Sequence, residues 1–178
     1  GRMNPIRLAL LAEKTSYRTD PPSTGEPEWS WEDAQHALAA GRATEIEALA
    51  LEFRWRGAGR HSVLYGALMS EALKAEKRHR WSERLFGRRY LEPMVQLALD
   101  VEQAPRLDGL KPLNVPTPGA DKPYRQLPGW WCLRLPWLTE AQWDREGELR
   151  YSLIRQPLDI WVGEAIRKCR PHLRDEEC

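Results

Sequence analysis

Apolar residues in this chain recur at spacings of three and four, and the runs open on residues that cap helices, a combination that packed helices satisfy and sheets do not. Ser30 offers a side-chain oxygen to the free amides of a first turn. Trp31, Ala34 and Leu38 follow on one face, and Gly41 is expected to end the run in a left-handed conformation. Thr44 and Glu47 have the T-x-x-E spacing of a capping box, in which each side chain bonds the other residue's amide. Behind them Ile46, Leu49, Ala50 and Phe53 predict a second helix reaching about Gly57. From Ser62 to Arg78, Leu64, Leu68, Ala72 and Ala75 line one face, with Tyr65, Met69 and Leu73 widening it. The basic last turn complements the negative end of the helix dipole. Met94, Leu97, Ala98 and Val101 predict a further helix, and Pro93 either sits in its first turn or kinks a longer helix begun near Ser82.

Thr139 and Gln142 repeat the capping box ahead of Trp143, Leu149, Leu153 and Ile154. Pro157 is expected to interrupt that helix before Leu158, Trp161, Val162, Ala165 and Cys169 resume its stripe. At the ends, Ile6, Leu8, Leu10 and Leu11 suggest a short helix closed by a proline-rich loop over Thr19–Pro27, and Asp175, Glu176 and Glu177 a frayed acidic tail. Between Ala104 and Gly129, Pro105, Pro112, Pro116, Pro118, Pro123 and Pro128 exclude a continuous helix or a central strand. The segment reads as an irregular arm, of a length usually reserved for function or linkage. The following WWCLRLPWL alternates Trp131, Leu133 and Leu135 against Cys132 and Arg134, which fits a lone strand or an extended segment packed on helices. A faint echo, Trp81 with Arg89-Tyr90 and Trp143 with Arg150-Tyr151, each followed by a proline, is weak ground for duplication in a chain rich in Trp and Arg.

The expected fold is therefore mainly α: a single-domain helical bundle with a long proline-rich arm and at most one or two short strand-like segments. Residues 1–103 form the helical core, 104–129 the arm, and 130–178 a Trp-rich helical segment packing on the same core. A length of 178 residues suits one core, and 42% apolar content with nine tryptophans excludes disorder for most of the chain. No apolar run is long enough for a membrane span, and the first residues carry too short a run for a signal peptide. Cys132, Cys169 and Cys178 make no even disulfide framework, so a reducing, cytoplasmic setting is expected.

The net charge of +1 conceals a division. From Asp20 to Glu52 eight acids face Arg42 alone, whereas from Arg54 to Leu91 ten Lys and Arg face three glutamates. Such asymmetry marks a nucleic-acid face, or two parts of one fold that attract each other. In the basic block Arg54 and Arg56 flank Trp55, Arg60 follows, and Lys74, Lys77, Arg78, Arg80, Arg84, Arg88 and Arg89 surround Trp81 and Tyr90. Phosphate attraction beside aromatic stacking is the chemistry of nucleic-acid binding, and these eleven residues are the candidate contact set. The structural alternative lays the same side chains along buried aromatics and pairs them with the acidic block.

Other patterns are weaker. The helices about Gly41 suggest a helix-turn-helix, but the second carries Glu45, Glu47 and Glu52 and no base before Arg54, so an ordinary αα-hairpin is favoured. Gly57, Gly59 and Ser62 imitate a phosphate loop but follow a helix, not a strand. Cys169, His172 and Cys178, with Cys132, have the chemistry of a zinc site without a recognised spacing, and no cofactor is expected. Four histidines and no recognised catalytic motif leave no nameable reaction; Glu146 and Glu148, two apart on a helix, do not face one another. Trp130, Trp131, Trp137 and Trp143 read as a second core before a partner surface. The expected function is that of a non-enzymatic, nucleic-acid-associated regulatory protein. The alternative is a protein-binding adaptor or inhibitor using the acidic face, the Trp cluster or the arm.

Overall fold

The computed structural model describes residues 30–56, 61–103, 114–116, 124–126 and 129–173; the segment expected to form an N-terminal helix, most of the arm, the acidic tail, Gly57, Gly59, Arg60 and Cys178 lie outside them. The architecture is the expected helical bundle. Its elements are α1 (Trp31–Ala40), α2 (Glu45–Arg56), α3 (His61–His79), a minimal hairpin of β1 (Arg84–Leu85) and β2 (Arg88–Arg89), and α4 (Leu91–Glu102). In the arm, β3 (Asn114–Pro116) pairs antiparallel with β4 (Tyr124–Gln126). A 3-10 turn (Trp130–Leu133) then leads to a helix built of α5 (Glu140–Gln142), a π turn (Trp143–Gly147) and α6 (Glu148–Cys169). α6 is the hub: α1, α2, α3 and α4 all pack on it.

The capping signals act as read. Ser30 Oγ accepts from the Asp33 amide at 3.2 Å while Asp33 accepts from the Ser30 amide at 2.9 Å. Thr44 and Glu47 exchange the same pair of bonds, as do Thr139 and Gln142. Each box satisfies amides that a helix start leaves unbonded. On α3 the stripe Leu64, Leu68, Ala72 and Ala75 is buried, and on α4 Met94, Leu97, Ala98 and Val101 face the core. Pro93 stands in the first turn of α4, where its missing N–H costs nothing, so no longer helix begins at Ser82.

Four local readings are corrected. Gly41 is not left-handed (φ −79°); the left-handed residue is Arg42 (φ 60°), and the Ala43 amide closes back on the Leu38 carbonyl at 2.9 Å as in a Schellman motif. Glycine is needed at 41 for another reason: a Cβ there would lie 2.1 Å from the Lys168 carbonyl oxygen, where α1 meets the end of α6. Pro157 does not interrupt α6, which runs through it because Ile154, Leu158 and Val162 on either side are fully buried; tertiary burial overrides the local cost. The segment after Trp130 is no strand: Trp131 and Leu135 are buried from a 3-10 turn, with Leu133 exposed, and pairing occurs instead at 84–89 and 114–126. Leu149 points outward at 59% exposure, and Arg150 and Tyr151 take the inward positions, in register with Trp143, Gly147, Ile154 and Leu158.

The four tryptophans join the core. Trp131 and Trp143 stack in parallel at 5.3 Å, and Trp130 sets its edge against Trp143 at 5.5 Å and Tyr151 at 5.0 Å. A Cβ at position 147 would lie 2.8 Å from the Trp143 ring, so Gly147 makes the room that the ring occupies beside the π turn. The Trp81 and Trp143 repeats occupy different local structures, a turn after α3 and a π turn.

Candidate nucleic-acid interface

The ten described residues of the candidate set, Arg60 lying outside them, separate into three groups in space. Arg54 is structural: its guanidinium pairs with Glu102, whose side chain is fully buried, and donates to Asp159 Oδ1 at 2.8 Å. Arg155 donates to the same Glu102 at 3.3 Å, so two arginines neutralise one buried carboxylate between α2, α4 and α6. Trp55 packs edge-on against Trp31 at 5.0 Å, and Arg56 lies over the Trp31 ring and bonds Glu52 at 3.5 Å. Lys74 pairs with Glu71 at 3.3 Å.

The third group is different. Lys77, Arg78, Arg80, Arg84, Arg88 and Arg89 are all exposed, and none has a carboxylate within ion-pair distance among the described residues. They occupy one tip of the bundle, formed by the last turn of α3, its cap and the β1–β2 hairpin. Glu83 is the one acid between Lys77 and Arg89. The described acids of the acidic block do not neutralise this tip: Glu47 turns inward and accepts from Lys168 Nζ at 2.6 Å, and Glu52 meets Arg56. Burial works against the ionised Glu47, but the hydrogen bonds from Lys168 and Thr44 outweigh it and hold its carboxyl below the ordinary 4.5.

The tip has a defined shape. At the end of α3 the Trp81 amide bonds the Glu76 carbonyl at 3.0 Å and the Arg80 amide bonds Lys77 at 3.3 Å, a Schellman cap that places Arg80 at φ 53°. At the hairpin both central residues, Phe86 (φ 49°) and Gly87 (φ 87°), have the positive φ of a type I′ turn. The base of the tip is pinned by Arg150, itself 5% exposed. Its guanidinium lies 5.5 Å over Trp81 and 4.7 Å over Tyr90, pairs with Glu146, and donates to the Ser82 carbonyl at 3.1 Å. Tyr90 in turn donates to Glu76 at 2.9 Å; burial, joined by that carboxylate, pushes its phenol up.

Three members of this site were not in the sequence-based set. Arg145, exposed on the π turn, covers the Phe86 ring at 4.9 Å; His79 stacks on Trp81 at 4.9 Å; Arg150 is the pin. Phe86-Gly87 between Arg84-Leu85 and Arg88-Arg89 is a two-residue loop signal, but strands of two residues carry no readable alternation.

The zinc reading finds no support in the geometry. Cys169 lies in the core with Sγ 3.7 Å from the Ala34 carbonyl, and burial pushes its thiol up to about 12. Cys132 and His172 are exposed, and no cluster of three metal-binding side chains occurs among the described residues. No helix among them is long and apolar enough to cross a membrane. Compared with protein-family models, curated proteins and solved structures, the chain matches none.

Proposed function

We propose that the protein is a non-enzymatic, nucleic-acid-associated regulatory protein that holds the phosphate backbone on the tip formed by the end of α3 and the β1–β2 hairpin. The observation that supports this reading is the set of six exposed bases between Lys77 and Arg89 without carboxylate partners among the described residues. Long cationic side chains left unpaired beside one another repel, and polyanions relieve that repulsion while releasing counterions. Arg54, Trp55, Arg56 and Lys74 leave the contact set, because their side chains serve the fold or meet local acids.

The test is equilibrium binding of DNA and RNA across a salt series. If three phosphates are neutralised, the logarithm of affinity for duplex DNA falls with a slope of about −2.7, roughly a fortyfold loss between 50 and 200 mM salt. Replacing Arg78 and Arg89 by alanine together should flatten that slope by about two phosphate equivalents. Absence of measurable binding to any nucleic acid at low salt overturns the proposal.

A further inference from the structure

The tip contains a repeated arrangement that phosphate contact alone does not require. Three times, an inner aromatic ring at the edge of the core carries a planar group outside it. Arg145 lies 4.9 Å over Phe86, Arg88 lies 6.0 Å over Trp137, and His79 stacks on Trp81 at 4.9 Å with 21° between the planes. In each pair the inner ring is half-buried and the outer group exposed. A phosphate needs a charge within reach and gains little from a fixed plane. A base gains from both, because an imidazole stacked on one ring, or a guanidinium held over one, presents its outer face as a stacking surface with its ordering already accomplished.

The Phe86 backbone points the same way. A bulky residue at φ 49° in a two-residue turn is disfavoured where asparagine or glycine would rest without strain. What phenylalanine adds there is the ring beneath Arg145. The tip is also poorly shaped for a duplex groove. Helices that read the major groove lead with their N-terminal residues, whereas α3 arrives by its C-terminal end, the negative end of its dipole. A ribbon of two residues per strand is about 7 Å long, short for a groove about 12 Å wide.

We infer that the partner is a single-stranded nucleic acid whose bases stack on the outer faces of Arg145, Arg88 and His79 while Lys77, Arg78 and Arg89 hold its phosphates. This rests on the function proposed above and specifies its substrate. DNA and RNA strands share the chemistry, so both enter the test.

The experiment compares the full chain with its Arg88→Lys and Arg145→Lys variants. Each is titrated with oligothymidine, oligouridine and a mixed-sequence duplex of equal length, across a salt series. Lysine keeps the charge and loses the plane. The expected result is that native protein binds at least one single strand more tightly than the duplex. Each lysine variant then loses about tenfold on that strand with its salt slope unchanged and its duplex binding little altered. An Arg89→Ala variant should instead flatten the slope on every ligand. The tighter of the two single strands identifies the sugar. If the duplex binds as tightly as the better-bound strand, or the lysine variants bind as the native chain does, the stacking inference is overturned while the nucleic-acid reading stands. If no ligand binds, that reading itself fails.

Discussion

Replacing Gly41 by alanine tests the close approach of the end of α1 to the end of α6. The glycine has an ordinary φ of −79°, so alanine incurs no conformational penalty there and the whole effect is steric. An added Cβ would stand 2.1 Å from the Lys168 oxygen and 2.7 Å from its carbonyl carbon, both backbone atoms that cannot rotate away. Reaching ordinary contact requires the α1–α2 turn and the last turn of α6 to separate by at least about 1.3 Å. That movement pulls on the Cys169 contact with Ala34 and on the Lys168 bond to Glu47. Overpacking costs typically 1–3 kcal/mol, and with rigid atoms on both sides we expect about 3 kcal/mol, or a fall in Tm of roughly 6–12 °C for a chain of this size. Thermal unfolding followed by circular dichroism measures it. Gly163→Ala and Gly66→Ala are the controls: a Cβ at either meets nothing within 4 Å, and each helix should gain up to about 1 kcal/mol. If Gly41→Ala melts at or above the native temperature, the reasoning about this contact is wrong.

Glu102→Ala leaves Arg54 and Arg155 facing a buried vacancy of charge and should cost about 3 kcal/mol or more in urea denaturation. Arg80→Gly relieves a left-handed backbone, so it should raise stability by about 0.5–1 kcal/mol while weakening nucleic-acid binding, a divergence that melting and titration on one preparation would show. Because the folded Glu47 carboxyl is held below 4.5, its contribution is present above that value and disappears as pH falls through the lower folded one. Glu47→Gln should therefore be less stable than the native chain at neutral pH, with the gap closing in acid. Cys169, buried with its thiol pushed up to about 12, should resist alkylation at neutral pH until the protein unfolds, whereas exposed Cys132 reacts in the native state, as peptide mapping would reveal.

What could be read from the sequence was what is decided within one or two turns of helix. The Ser30 cap, the two capping boxes and the stripes of α3 and α4 depend on neighbours three and four residues away, and all stand where the pattern put them except Leu73, which is exposed. The left-handed stop fell one residue late, on Arg42, because the glycine answered to a carbonyl at the far end of the chain. Pro157 was misjudged for the same reason: its cost is local and its compensation comes from four helices. The basic tip was legible as a run of charge between Lys77 and Arg89. That Arg54 belongs to a buried pair was not, since its partners lie 48 and 105 residues away. Nor was Arg145, brought to Phe86 by packing and not by sequence proximity.

The central place of α6 has a consequence for how the molecule comes into being. Of the described helices it is the last to be synthesised, yet α1 to α4 all rest on it, and Ala34, Glu47, Ser82 and Glu102 each await a partner that it carries. A nascent chain halted before Glu148 therefore presents four amphipathic helices without their common support, its apolar faces open to other chains. Completion of the bundle is therefore deferred until this last helix has been translated, and the interval before it is the one in which exposed apolar faces favour aggregation.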